Sequence, residues 1–93
     1  MTYEEEIGEF RREINRLNEE IVEKLARRVE VAVKIGAVKR RHGRPIVDRS
    51  REARVYQQIR GLAERRHLDP DGVERVFREI IRLCTEAQTE GRP

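Results

Sequence analysis

The sequence predicts an all-α protein of three helices, of which the first is much longer than the other two. Apolar residues recur every three or four positions through most of the chain, which is the period of an amphipathic helix. No segment alternates apolar and polar residues in the way that is typical of a strand. Pro45 and Pro70, the only prolines before the last residue, divide the helical pattern into three parts.

The first helix is expected over about residues 2–41. Its apolar stripe continues for about eight helical turns without a proline. The members of this stripe are Ile7, Phe10, Ile14, Leu17, Ile21, Val22, Leu25, Val29, Ala32, Val33 and Ile35. The stretch from His42 to Pro45 ends the helix, because Gly43 permits a left-handed cap and Pro45 cannot continue the hydrogen-bond ladder. Residues 42–47 are therefore expected to form a loop.

Two shorter helices are expected after this loop. The second should cover about residues 48–66, where Asp48 or Ser50 can cap the free amides of the first turn. Its inward face is expected to be Ala53, Tyr56, Ile59, Leu62 and Ala63. The third should cover about residues 70–89, because Asp69 followed by Pro70 is a typical start signal. Its inward face is expected to be Val73, Val76, Phe77, Ile80, Ile81 and Cys84.

Size and composition indicate that one copy of the chain has too thin a core to stand alone. The 93 residues fit one domain over residues 1–93, yet only 37% are hydrophobic and four are aromatic. At about 1.5 Å per residue, the first helix would span about 60 Å and each of the others about 25 to 30 Å. Two short helices cannot cover the long one, so we predict an intertwined homodimer. The alternative is a helical hairpin with a frayed, exposed first helix.

Several kinds of protein are excluded by the sequence. Cys84 is the only cysteine, so no intrachain disulfide forms, and His42 and His67 are too few to complete a zinc-type ligand set with it. The acidic amino terminus lacks the basic start of a secretion signal, and no apolar run approaches the roughly 20 residues of a membrane span. We therefore expect a cytoplasmic protein that binds no metal and does not associate with a membrane.

The arginine-rich basic residues fit the recognition of a carboxylate or phosphate, or simply a heat-tolerant or GC-rich source. They number 21 against 18 acidic residues, for a formal net charge of +3, and 18 of them are arginines, whose guanidinium forks match carboxylates and phosphates. Arg28 and Lys39 lie 11 residues apart, close to three helical turns, so they share one line of the first helix. Ala32 and Ile35 between them would form a small apolar floor. In the alternative reading, both cations simply extend from the edge of the stripe into water.

Other polar residues occur at positions where apolar ones are expected. Gln88 follows Cys84 by four residues and so continues the buried face of the third helix, where an amide needs hydrogen-bond partners. Alternatively, it belongs to a frayed and solvated helix end. In the segment from Asp48 to Glu52, an acidic cap and an acidic first turn are also ordinary helix-start chemistry.

Considered together, these residues form one pattern, in a fixed order and spacing over three helices. Its members are Arg11, Ile14, Leu17, Arg28, Gly36, Lys39, Arg44, Pro45, Asp48, Arg51, Glu52 and Gln88. The pattern spans the chain from about Glu9 to Gln88 and resembles the all-helical class of chorismate mutases. The resemblance implies an intertwined dimer, in which each active site is built mostly from one chain and receives one arginine from the other.

The resemblance also implies a role for each cation. Arg11 would be the arginine donated across the dimer, and Arg28 the one supplied within the chain, each binding a substrate carboxylate. Lys39 would contact a carboxylate and the ether oxygen of the bond that breaks. Gln88 would donate to the same ether oxygen.

The remaining site residues follow from the same resemblance. Glu52, with the region of Asp48, would hold the ring hydroxyl of the substrate, and Arg51 would belong to the same polar network. Cys84 is a departure, because relatives often have a serine there that helps to bind a carboxylate, and a thiol is a weaker donor. From the sequence alone, Cys84 is expected to be a small core residue, because no basic partner for thiolate chemistry is evident within its helical neighbourhood.

The implied reaction is the rearrangement of chorismate to prephenate, a step toward phenylalanine and tyrosine. It is concerted and intramolecular, so it requires no nucleophile, metal, cofactor or general base. What it requires is positioning of a dianion and stabilisation of the negative charge that grows on the ether oxygen. The residues of the pattern suit both tasks.

Two alternative functions remain open at this level. An isochorismate pyruvate lyase resembles the same fold and binds a similar dianion, although Glu52 and Gln88 favour the mutase. A basic helical protein can instead bind nucleic acid through arginines such as Arg40, Arg41 and Arg44. Against this, glutamates are interleaved with arginines along the first helix and base-stacking aromatics are scarce, so we expect no nucleic-acid partner.

Overall fold

The structure is a computed structural model that describes residues 1–93 and contains three α-helices and no strand. Helix α1 spans Tyr3–Arg41, α2 spans Arg49–Arg65 and α3 spans Pro70–Glu90. The predicted all-α class with one long first helix is confirmed, and each helix end lies within one residue of its expected place. None of the three helices is both long enough and apolar enough to cross a membrane.

Helix α1 is capped at both ends by local chemistry. At its start, the Thr2 hydroxyl accepts a hydrogen bond from the Glu5 amide at 3.2 Å. At its end, Gly43 adopts the left-handed conformation with φ of 64°, and the Arg44 amide donates to the Lys39 carbonyl at 2.8 Å. This Schellman motif satisfies carbonyls that the helix leaves free and turns the chain toward α2.

The two short helices begin at aspartates, as the sequence predicts for Asp69 and allows for Asp48. The Asp48 carboxylate accepts from the Arg51 amide at 3.0 Å, and the Asp69 carboxylate accepts from the Asp71 amide at 3.1 Å. Helix α2 ends in the same motif as α1, but with His67 in the left-handed position at φ of 60°. The short connection at His67 sets α3 beside α2.

Helix α3 is the centre of the packing, because its backbone lies beside both α1 and α2, whereas no Cα of α1 lies within 8 Å of a Cα of α2. The core between α1 and α3 consists of Val29, Ala32, Cys84 and Ala87. These side chains are small, so the two backbones approach closely. The approach is closest at Gly36, where an added Cβ would lie 3.2 Å from the Cα of Gln88 and 3.1 Å from its Cβ.

The amino-terminal half of α1 has no neighbour within the chain. Residues 9–24 are all exposed, although this segment carries much of the apolar stripe. The molecule is correspondingly elongated, with extents of 61 × 27 × 15 Å. The expected inward positions of Ala53, Leu62 and Val76 are wrong for a single chain, since all three are exposed.

A polar cluster joins α2 to α3. Arg60 bonds Asp71 at 2.7 Å and Glu74 at 3.3 Å, and the other oxygen of Glu74 accepts from Arg78 at 2.8 Å. The Arg78 guanidinium also lies 4.4 Å from the centre of the Tyr56 ring. Hydrogen bonding and charge from Arg78, followed by those from Arg60, hold the pKa of Glu74 below its ordinary value.

Replacing Gly36 by alanine tests the close approach of α1 and α3. Overpacking against a helix backbone costs roughly 1–3 kcal/mol, whereas alanine in place of a helical glycine returns only about 1 kcal/mol. We expect Gly36→Ala to lower the free energy of unfolding by roughly 1 kcal/mol in urea denaturation at one fixed protein concentration. Gly61→Ala is the matched control, because its new Cβ meets only the flexible end of Arg65. The control should be neutral or stabilising, and equal behaviour of both variants would contradict the packing described.

Replacing Glu74 by glutamine tests the polar cluster through its pH dependence. A carboxyl group whose folded pKa is lowered stabilises the fold above its ordinary value of 4.5, and this contribution is lost as the pH falls through the lower folded value. The wild-type protein should therefore be more stable than Glu74→Gln at neutral pH, and the difference should shrink below pH 4.5. Glu79→Gln is the control for removing a charge, because it breaks only the exposed ion pair between Glu79 and Arg82 within α3. A stability difference for Glu74→Gln that stays constant down to strongly acidic pH would contradict the lowered pKa.

Candidate active site

A cavity of about 360 Å³ lies between the three helices, within the size range of small-molecule sites. Seven of the eight site residues proposed from the sequence line it: Arg28, Lys39, Asp48, Arg51, Glu52, Cys84 and Gln88. Arg11 does not, because it lies on the exposed half of α1, far along the helix from the cavity. One chain therefore assembles all of the expected groups except the one expected from a partner.

Helix α1 forms one wall of the cavity with the register expected from the sequence. Arg28, Ala32, Ile35 and Lys39 all line the cavity. Their spacing places them on one side of the helix over three turns, so a cation stands at each end of an apolar floor. Lys39 is half-buried and held by the protein, which excludes the reading that it merely extends into water.

Lys39 is held by two hydrogen bonds that leave part of its capacity free. Its ammonium group donates to the main-chain carbonyl of Ile46 at 2.7 Å and to Oε1 of Gln88 at 3.3 Å. An ammonium group has three N–H donors, so one remains for a ligand in the cavity. The bond to Ile46 also fastens the loop between α1 and α2 over this end of the site.

The contact with Lys39 determines which way the Gln88 amide points. Lysine has only donors, so the atom of Gln88 that faces it is the carbonyl oxygen. The amide nitrogen, with two N–H donors, is then free to bind a ligand. Gln88 is half-buried and lies within α3, so the reading of a frayed and solvated helix end is wrong.

Arg28 meets Cys84 at the other end of the cavity. A guanidinium nitrogen of Arg28 lies 3.0 Å from the sulfur of Cys84, which is buried. Cys84 is thus a core residue, as expected, and also part of the cavity wall. The basic partner of Cys84 is not a neighbour on its own helix: Arg28 is distant in sequence, and only the packing of α3 on α1 brings the two side chains together. Sulfur is a weak acceptor, so Arg28 retains most of its five donors for a ligand.

The acidic side of the cavity is formed by the start of α2. One oxygen of Asp48 is used in capping the Arg51 amide, and Glu52 pairs with the exposed Arg49 at 3.5 Å. Three cationic and two anionic side chains therefore line the cavity, which favours an anionic ligand that also carries a hydrogen-bond donor. No three His, Cys, Asp or Glu side chains come together as a set that could hold a metal ion.

Some cavity residues were missed by the sequence analysis. Val55 and Thr85 line the cavity and were not proposed from the sequence. Thr85 was detectable, because it follows Ile81 by four residues and precedes Gln88 by three on the same face of α3. The Ile46 carbonyl that holds Lys39 was not detectable, since a main-chain oxygen leaves no signature in a sequence.

Comparison with known proteins connects this geometry with a family. The family model described as chorismate mutase type II matches residues 10–89. The chain belongs to this family. The match includes most of α1, all of α2 and nearly all of α3, and it contains every residue proposed for the site, including Arg11.

Individual relatives agree with the family. The chain is 34% identical over 82 residues to the T-protein of Haemophilus influenzae, a match that covers 88% of this chain and 22% of the relative. It is 35% identical over 81 residues to the bifunctional chorismate mutase/prephenate dehydratase of Escherichia coli strain K12, covering 87% of this chain and 21% of that protein. The chain thus spans about a fifth of the length of these curated relatives.

A third relative is closer to the chain in length. The chorismate mutase of Methanocaldococcus jannaschii is 29% identical over 77 residues, which cover 83% of this chain and 78% of the relative. The region that matches this chain is therefore about a fifth of some relatives and most of the length of another.

Proposed function

We propose that this chain is a chorismate mutase, which converts chorismate to prephenate in the biosynthesis of phenylalanine and tyrosine. The observation that carries the proposal is the convergence of Lys39 and Gln88, 3.3 Å apart, each with an unused N–H donor at one end of the cavity. At the other end of the cavity, the guanidinium group of Arg28 can bind a carboxylate through two parallel hydrogen bonds. Membership of the chorismate mutase type II family supports the same reaction.

The chemistry follows from positioning and charge. In the rearrangement the bond between the ether oxygen and the ring breaks while a carbon–carbon bond forms, with no proton or external reactant. Arg28 holds a carboxylate so that the side chain of chorismate folds over the ring, which brings the two bonding carbons together. Lys39 and Gln88 donate to the ether oxygen as its negative charge grows, and each such donor is typically worth about 10²- to 10³-fold in rate.

The site is prepared for this task before the substrate binds. The two protein bonds of Lys39 fix the ammonium group, and its bond to Gln88 turns the amide nitrogen toward the ligand. Donors that do not have to reorient stabilise a transition state at little cost. Glu52, near Asp48 and Arg51, accepts from the ring hydroxyl, and Cys84 takes the place of a serine beside Arg28.

We further propose that the working form is an intertwined homodimer in the cytoplasm. The exposed half of α1 carries Phe10, Ile14 and Leu17, an apolar stripe that a second copy of α1 would cover. Arg11 lies on the same segment, next to Phe10, so covering the stripe would also carry Arg11 toward the partner. Arg11 then completes the partner's cavity by binding the second carboxylate.

The direct test is to incubate the purified chain with chorismate and to follow chorismate loss and prephenate formation. The chain should be active without added metal or cofactor. Isochorismate is the second substrate to test. Release of pyruvate from isochorismate, with no prephenate from chorismate, would identify a lyase and contradict the proposal.

Replacing Lys39 by alanine should lower kcat/KM by about 10²- to 10³-fold, because it removes a donor from the ether oxygen. Lys34→Ala is the matched control, since Lys34 is exposed on the same helix and does not line the cavity. Circular dichroism should show the same helix content in both variants. Activity of Lys39→Ala within twofold of the control would remove Lys39 from the site.

Mixed dimers test the donation of Arg11. Arg11→Ala and Lys39→Ala chains are inactive alone, but their mixed dimer contains one site with both residues intact. After complete subunit exchange half of the dimers are mixed, so about a quarter of wild-type activity should return. Mixing Arg28→Ala with Lys39→Ala chains is the control, because both residues line the same cavity and no site is repaired. Equal behaviour of the two mixtures, with exchange verified by native mass spectrometry, would show that Arg11 does not act across the dimer.

A further inference from the structure

The carboxyl-terminal turn of α3, which carries Gln88, is held by an arginine from outside the cavity. Arg40 of α1 donates from a guanidinium nitrogen to the main-chain carbonyl of Gln88 at 2.7 Å. Arg40 does not line the cavity. We infer that Arg40 is a positioning residue for Gln88 in the mutase reaction, an inference that rests on the function proposed above.

The end of α3 needs a donor that it does not have itself. The last carbonyls of a helix have no partner within the helix. At this terminus the amides of Gly91 and Arg92 both donate to the carbonyl of Ala87, and neither donates to that of Gln88. The last turn of α3 also contains no basic residue. Arg40 therefore supplies both the missing hydrogen bond and a positive charge at the negative end of the helix.

Arg40 completes a set of three contacts between one turn of α1 and Gln88. Gly36 has no side chain, so the two backbones can approach closely. A Cβ at this position would lie 3.1 to 3.2 Å from atoms of Gln88. Lys39 binds the side-chain oxygen of Gln88 at 3.3 Å, and Arg40 binds its main-chain oxygen at 2.7 Å. Both the backbone and the amide of Gln88 are thus fixed relative to Lys39.

The strengths of these contacts show why Arg40 matters to the donor pair. The bond between Lys39 and Gln88 is long at 3.3 Å, so a small outward movement of the end of α3 would break it. Both bonds have a cationic donor, but the bond from Arg40 is much shorter at 2.7 Å, which makes it the stronger restraint. Without the Arg40 bond, the last turn of α3 would keep its helical hydrogen bonds, but the Gln88 amide would no longer be held within hydrogen-bond distance of Lys39.

Neighbouring Arg41 provides a matched control. It is exposed in the same last turn of α1 and carries the same charge, but its side chain makes no hydrogen bond or ion pair. Arg40→Met keeps an apolar stem of similar reach and removes every donor, whereas Arg40→Lys keeps a charged donor. Together, these three variants separate the effect of the Arg40 bond to Gln88 from general effects of charge.

We expect Arg40→Met to lower kcat roughly ten- to a hundredfold, as small misplacements of a catalytic group do, with KM changed less than about twofold. Arg40→Lys should recover much of this loss, and Arg41→Met should match the wild type. The decisive measurement is a double-mutant cycle with Gln88→Ala. In that background Arg40→Met should lower kcat no further, because the amide that it positions is gone.

A merely structural role would give a different result, since a loss of folded protein lowers kcat by the same factor in both backgrounds. Equal factors, or wild-type kcat in Arg40→Met, would overturn the inference while leaving the proposed function intact. Absence of chorismate turnover by the wild-type chain would overturn both, and it would be seen before any variant is made. If Arg40→Met is unfolded at the assay temperature, Arg40→Lys carries the same cycle with a smaller expected loss.

Discussion

The close contact of α1 and α3 is the interaction on which the rest of the structure depends. It is made by Ala32 and Gly36 on one helix and by Cys84 and Ala87 on the other, all of them small. Because these residues are small, the helix backbones come near enough for groups on opposite helices to bond directly. Lys39 reaches Gln88, and Arg28 reaches Cys84, only because the backbones of α1 and α3 lie so close together.

The same contact explains why the cavity lies where it does. Helix α3 packs on α1 and on α2, but α1 and α2 do not meet, so a hollow remains between them. The loop after α1 closes one end of it through the bond from Lys39 to the Ile46 carbonyl. Lys39 therefore holds the connection between two helices, and in the proposed reaction the same ammonium group also serves the substrate.

Arginine serves three different purposes in this chain. Arg28 and Arg51 line the cavity, which is the proposed substrate site. Arg60 and Arg78 join α2 to α3 through Glu74, and Arg40 closes the end of α3. Most of the others are exposed to water, so the high arginine content is mainly a property of the surface rather than of one binding site.

The thin core that the composition implies is a physical fact of the single chain. Only seven of its 93 residues are buried, and none of them is a large side chain that is completely enclosed. A fold with so little interior needs further apolar contact to be stable. The exposed stripe on α1 is the surface that can provide it, and in the proposed dimer the same surface carries Arg11.

Much of this protein is determined by its sequence alone, because helix formation is governed by local rules. The apolar period, the caps at Thr2, Asp48 and Asp69 and the left-handed Gly43 define all three helices without reference to other parts of the chain. The spacing of Arg28 and Lys39 similarly places both cations on one wall of the cavity. Family resemblance added the functional interpretation of these positions.

Only the tertiary structure decides what depends on the distance between helices. The Cys84 contact with Arg28, the Ile46 carbonyl beneath Lys39 and the Arg40 bond to Gln88 join residues through space, and no periodicity records them. The exposure of Leu62 and Val76 was also not readable from the sequence. An amphipathic pattern identifies the apolar face of a helix, but it does not show which neighbour covers that face. Local propensity thus defines the helices, and the close packing at Gly36 defines the site.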